Sequence, residues 1–325
     1  MKFRTIMLLI LLSFISGCGR EDLVNTPGPG LPPAVPEGLE VVAAHDGSIL
    51  IDWKPNAEVN LKGYYVYKGV NDSVSLKMVS LTSDAYFLDD SLSYDSTYFY
   101  KVSAVDDNGN ESNRTYFVKA RPVNLYAPRA VYSLEVNARN WIDSVSVFLS
   151  WQPNTEGDIL GYEVYRSESP DFTPVEGNFL GLSKEPSFLD TRDLKRYVTY
   201  YYKLITVDKA GLRSNPGPEA SDMILGIPEI VFPQNGSTVD YFDSFVIRAI
   251  SVPAHYKVIL QSNQYFGEIW STEFSSSKVN DTLQVKIRGV SLNQNSPYYW
   301  RVITFTNDYG EPNSISALNH FTIRP

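Results

Sequence analysis

Three stretches of one design set the pattern of this chain. The first, Tyr98–Ser112, reads Tyr-Phe-Tyr-Lys-Val-Ser-Ala-Val and then Asp-Asp-Asn-Gly-Asn. Its first half alternates, so Tyr98, Tyr100, Val102 and Ala104 share one face while Phe99, Lys101 and Ser103 share the other. A period of two marks a half-buried strand. The second half collects residues that tolerate positive φ and bond their own backbone, as turns require. The design returns at Tyr200–Gly211 and, altered, at Tyr298–Phe305. A strand-and-turn unit recurring at domain-sized intervals predicts tandem β domains.

The rest of the chain agrees. Its 325 residues exceed one ordinary domain. Aromatics at 13 %, with 20 Gly and 20 Pro, suit short strands broken by frequent turns. The net charge of −9 argues against nucleic acid or another polyanion as the main ligand. Cys18 is the single cysteine, so no disulfide forms within the chain and each domain must be held by its core alone.

At the N-terminus, basic Lys2 and Arg4 precede the short apolar run Ile6–Leu12, the layout of a secretory signal. The run ends at Ile15-Ser16-Gly17-Cys18, which resembles a bacterial lipobox. That resemblance implies cleavage before Cys18, a diacylglycerol thioether on its sulfur and an acyl chain on its amine, together enough for stable anchoring. Gly19 in place of Asp implies delivery to the outer membrane, and Arg20-Glu21-Asp22 resembles a surface-export patch. Beyond it, Pro27, Gly28, Pro29, Gly30 and Pro32 make a tether that forms neither helix nor central strand. The expected divisions are 1–17 signal peptide, 18–32 lipidated cysteine and tether, and domains over 33–122, 127–226 and 227–325.

Domains one and two match residue by residue. Ile49, Ile51 and Trp53 with Pro55 correspond to Val147, Leu149 and Trp151 with Pro153. Gly63-Tyr64-Tyr65-Val66-Tyr67 corresponds to Gly161-Tyr162-Glu163-Val164-Tyr165, and Leu92 precedes Tyr98 by the spacing that separates Leu194 from Tyr200. A strand-B Trp-x-Pro, a Gly-Tyr-x-Val-Tyr strand C and a Leu-x5-Tyr corner, in that order, resemble fibronectin type III domains. The resemblance covers nearly 190 residues and implies all-β sandwiches of two antiparallel sheets. Trp53 and Trp151 are expected in the cores, and Tyr98, Tyr200 and Tyr298 at the corners. Domain three lacks the Trp-x-Pro but keeps Tyr298-Tyr299-Trp300, so a divergent fibronectin or immunoglobulin-like sandwich is expected. The fold class is therefore all-β, with three tandem immunoglobulin-like (fibronectin type III) sandwiches.

The sequence offers little chemistry. His45, His255 and His320 have no ligand spacing, and no nucleophile elbow or phosphate loop is present. Asp89-Asp90 and Asp106-Asp107 are strand neighbours that point to opposite faces, and Asp106–Glu111 reads as a turn rather than a calcium loop. No catalytic residue, metal or cofactor is expected. The remaining hint is aromatic: Tyr65, Tyr67 and Phe99 in domain one and Tyr165 and Tyr201 in domain two fall opposite the core parity. With Trp141, and with Tyr265 and Trp270 in an amide-rich stretch of domain three, they are candidate contacts. Packing against a loop or a neighbouring domain is the competing explanation.

The expected function is a lipid-anchored envelope protein with no catalytic role, adhering to or assembling with a protein partner. The alternative is a carbohydrate-binding accessory to exported polysaccharide-degrading enzymes. A hydrolase in domain three would need two carboxylates converging in one cleft. Expected partners are membrane lipid through acylated Cys18 and a protein or polysaccharide, with no nucleic acid.

Overall fold

The computed structural model describes residues 30–141, 144–306 and 310–325. The leader, Cys18 and most of the tether lie outside the described residues. Two compact units emerge: residues up to Asp89 with Asp95–Pro122, and Asp90–Tyr94 with Val123–Pro325.

Seven strands build the first unit: β1 (Glu37–His45), β2 (Ser48–Lys54), β3 (Leu61–Val70), β4 (Lys77–Thr82), β5 (Tyr86–Asp89), β6 (Tyr98–Asp106) and β7 (Val118–Ala120). They form a three-stranded sheet β1-β2-β5 and a four-stranded sheet β4-β3-β6-β7. Between them Ile49, Ile51, Tyr64, Val66, Tyr100 and Val102 are buried. Trp53 meets Tyr64 edge-on at 5.2 Å, a geometry that adds quadrupole attraction to the buried area. The Tyr64 hydroxyl accepts from the Asn56 amide at 2.7 Å and so fixes the turn after Trp-x-Pro. Gly63 is needed because a Cβ there would run into the Thr82 carbonyl.

The same devices recur in the second sandwich: β8 (Glu135–Trp141), β9 (Ser144–Ser150), β10 (Ile159–Ser167), β11 (Phe179–Ser183), β12 (Ser187–Asp190), β13 (Thr199–Asp208) and β14 (Ala220–Met223). Trp151 lies edge-on to Tyr162 at 5.2 Å, whose hydroxyl accepts from Asn154 at 2.9 Å. At the corner, buried Tyr200 accepts from the Lys195 amide at 2.8 Å. Tyr298 accepts likewise from Asn293 at 2.6 Å. Tyr98 is buried under Lys68, whose Nζ lies 5.0 Å from its ring.

One polar device joins the two sheets in both of these sandwiches. Asp89 on β5 takes Lys68 Nζ at 2.7 Å and the Tyr100 hydroxyl at 2.6 Å, both from the opposite sheet. In the second sandwich, Asp190 takes Arg166 Nη1 at 2.7 Å and the Tyr202 hydroxyl at 2.9 Å. Burial, with the carboxylate beside them, pushes both tyrosine hydroxyls far up, so they stay protonated and donate.

The third sandwich contains β15 (Glu229–Phe232), β16 (Ser237–Val239), β17 (Ser244–Arg248), β18 (Ala254–Gln261), β19 (Glu268–Ser276), β20 (Thr282–Lys286), β21 (Pro297–Phe305), β22 (Ser314–Ile315) and β23 (Asn319–Ile323). Its core tryptophan comes from a different strand. Trp300 on β21 is fully buried, with Phe245 of β17 at 4.4 Å.

Within the second unit one nine-stranded sheet runs through both sandwiches, because β22 pairs in parallel with β8. Asn313 is wholly buried there. It accepts from Leu225 N at 2.8 Å and donates to Met223 O at 2.7 Å and Asp222 Oδ2 at 3.3 Å. Asn140 Nδ2 donates to Leu225 O at 2.7 Å. The edge of β8, which would otherwise present unpaired backbone, is thereby covered.

Candidate functional site

The outward face of β3, β6 and β7 in the first sandwich carries the aromatic strip together with cations. Register places Tyr67 opposite Lys101 and Phe99 opposite both Gly69 and Lys119. Pairs directly across a sheet share a face, so Tyr67, Lys101, Phe99 and Lys119 all point outward. Tyr67 itself is closed off, 5 % exposed, beneath the Arg114 guanidinium 3.5 Å from its ring centroid. Its hydroxyl donates to Glu111 Oε1 at 2.5 Å, and Ser103 Oγ donates to the same oxygen at 2.6 Å. Burial and the Glu111 bond raise the Tyr67 hydroxyl above its usual range. Phe99 meets Phe117 edge-on at 5.4 Å, and Tyr65 is half-buried. What remains accessible is Tyr65, Phe99 and Phe117 among Lys101, Arg114 and Lys119. Among the described residues no ion pair engages any of these three cations.

The second sandwich closes the same face with its own charges. Lys203 Nζ lies 3.4 Å from Glu219, and Arg213 pairs with Glu163. Tyr165, 4 % exposed, donates to Glu163 at 2.8 Å, accepts from Arg213 at 2.6 Å and packs near Phe179 at 5.4 Å. Burial and Glu163 push its hydroxyl up to about 12. Tyr201 is half-buried, opposite Ser221.

The other sequence-predicted aromatics fall elsewhere. Trp141 lies in the joint of the nine-stranded sheet, opposite Ile315, and its indole donates to Pro312 O at 3.0 Å. Trp270 packs on the third core, 5.8 Å from Phe245. Tyr265 is 79 % exposed, at the tip between β18 and β19. Of the eight, Tyr65, Tyr67 and Phe99 share one surface. Lys101, Arg114, Phe117 and Lys119 complete it and were not singled out from sequence. The signal that would have found them is the position-by-position contrast with Lys203, Glu219 and Ser221.

Two glutamates, Glu268 and Glu273, line one open cavity in the third sandwich with His255, Lys257 and Phe305. Lys257 Nζ lies 2.8 Å from Glu273 and holds that carboxyl below its usual range. An acid catalyst needs the opposite shift, so Glu273 belongs to an ion-pair network with Lys257 and His255 on a sheet face. Asp106 accepts from Asn108 N at 3.0 Å and Asn110 N at 2.8 Å, which makes its segment a closed Asx turn. Among the described residues no group of three or more His, Cys, Asp or Glu could hold a metal ion.

No protein-family model matches the chain. It is 24 % identical over 298 residues to the titin homolog of Caenorhabditis elegans, covering 86 % of this chain and 2 % of that protein. It is 27 % identical over 212 residues to exoglucanase B of Cellulomonas fimi, covering 62 % of this chain and 17 % of that enzyme. The chain thus spans less than a fifth of the length of either relative. Among solved structures, the FN1–FN3 domains of chicken CNTN1 align over 90 % of this chain and all of that one, at 14 % identity and a TM-score of 0.37. With its facing antiparallel sheets and the motifs repeated from one sandwich to the next, the chain is a tandem array of all-β, immunoglobulin-like sandwiches whose motifs are similar to those of fibronectin type III domains.

Proposed function

We propose that the protein is a lipid-anchored extracytoplasmic binding module. It engages an adhesion or envelope-assembly partner through the outward face of the first sandwich. The observation that carries this reading is the contrast between matched faces. The second sandwich neutralises its cations internally, while the first leaves Lys101, Arg114 and Lys119 among accessible rings. The anchor is supported by the leader, the lipobox-like Ile15–Cys18 and the Pro-rich tether. Labelled palmitate should enter the wild-type chain and be absent from Cys18→Ala, which should also leave the detergent phase. Crosslinking of the full chain in envelope extract should capture a partner at the first sandwich. Equal labelling of Cys18→Ala would remove the anchor, and crosslinks confined to other sandwiches would remove the surface.

A second reading, a carbohydrate-binding accessory role, is favoured by the 212-residue likeness to exoglucanase B. It uses the same rings as a stacking platform.

A further inference from the structure

We propose that this face takes an acidic polysaccharide. Its carboxylates or sulfates would meet Lys101, Arg114 and Lys119, and its sugar rings would lie on Tyr65, Phe99 and Phe117. The inference rests on the binding-module reading above and names the chemistry of the ligand.

The two sandwiches serve as controls for each other. Aligned by strand register, Lys101 corresponds to Lys203, Phe117 to Glu219, Tyr65 to Glu163 and Glu111 to Arg213. In the second sandwich Glu219 neutralises Lys203 and Glu163 neutralises Arg213. In the first, both glutamate positions carry aromatic rings, and Arg114 and Lys119 add charge. Glu111 is the acid placed on this face, and its Oε1 already accepts from Tyr67 and Ser103. Three cations therefore face solvent against one engaged carboxylate. A polyanion would supply the opposite charge that the fold itself does not place there.

The chain's overall charge of −9 does not cancel this local excess. At physiological salt, charges more than about 8 Å away through solvent are largely screened. Pairing, and not the sum, decides what the face attracts. A protein partner fits less well, because lysine is depleted from the cores of protein interfaces. A glycan carries its charges between ring faces, which matches cations interleaved with aromatics.

Affinity electrophoresis of the full chain in detergent tests the assignment, with alginate, polygalacturonate or neutral dextran in the gel. Alginate and polygalacturonate should retard the chain and dextran should not, and the retardation should fall as salt rises. Phe117→Glu, which installs the partner that Lys203 has, should weaken binding about ten-fold, the scale of one charge contact. Lys119→Glu should do the same independently, with unchanged circular dichroism for both. Equal retardation by dextran, none by any polymer, or indifference to both variants would overturn the proposal. Capture of an envelope protein, undisturbed by Phe117→Glu, would overturn the glycan while leaving the binding-module reading intact. A chain that captured neither glycan nor protein would overturn both.

Discussion

Lys203 and Glu219 form a 3.4 Å ion pair on the second sandwich, at positions that hold Lys101 and Phe117 in the first. Two copies of one scaffold thus differ in whether a cation finds its partner inside the fold. Everything beneath that face is shared. The Trp–Tyr edge contacts, the inter-sheet aspartates and the glycines approaching a neighbouring carbonyl recur in both copies.

Installing the missing partner should cost the first sandwich little. Phe117→Glu adds a half-exposed ion pair, and such pairs are worth ~0–1 kcal/mol. Denaturant midpoints of the variant and the wild type should therefore nearly coincide. A large drop would mean that Phe117 supports the core.

Trp151 fills the space between the sheets against Tyr162. Trp151→Ala should cost ~3–5 kcal/mol, the range for emptying an aromatic core position. Chemical denaturation followed by tyrosine fluorescence reads this directly. A loss under ~1 kcal/mol would place Trp151 outside the core.

Asp190 is fully buried between Arg166 and Tyr202. Asp190→Ala would strand a nearly buried guanidinium and a hydroxyl, at ~3–5 kcal/mol. Lys278→Ala breaks an ion pair whose partners are both 58 % exposed, so it should change stability by less than ~1 kcal/mol. Equal effects of the two substitutions would contradict the role of Asp190 as an inter-sheet tie.

Asp222 accepts from Ala138 N at 2.7 Å and from Asn313 at 3.3 Å in the joint of the nine-stranded sheet. Burial raises its carboxyl above the ordinary value, and the hydrogen bonds oppose that rise. A folded value above the unfolded one means that protonation favours the fold. The contribution is fully present below the unfolded value and is lost as pH rises through the folded one. The stability gap between wild type and Asp222→Ala should therefore widen as pH is lowered from 7 toward 4. A gap that narrowed on acidification would reverse the sign of the burial argument.

Periodicity and the ordered Trp, Gly-Tyr and corner motifs made both matched sandwiches legible, because they report local parity and core size. Trp300 as the third core tryptophan was less legible, since parity places it inward without saying that it replaces a strand-B residue. Trp141 read as a loose aromatic because its partner, Pro312, lies 171 residues away. Tyr67 and Tyr165 read as outward, and they do project from the outward face. Their covers, Arg114 and Arg213, come from the segment after β6 or β13, which parity does not place. The cation pairing was hidden for the same reason. β7 and β14 keep one register against β6 and β13, so whether the lysine meets a glutamate turns on the residue just before that strand, Phe117 or Glu219.

Hydrogen–deuterium exchange on the full chain, with and without bound alginate, tests the central claim most directly. The account predicts slowed exchange confined to the outward strands of the first sandwich, around Tyr65–Tyr67, Phe99–Lys101 and Arg114–Lys119. The matched segments of the second sandwich, around Tyr165, Tyr201–Lys203 and Glu219, should be unchanged. Protection of both sandwiches alike, or protection centred on the exposed tip at Tyr265, would contradict it.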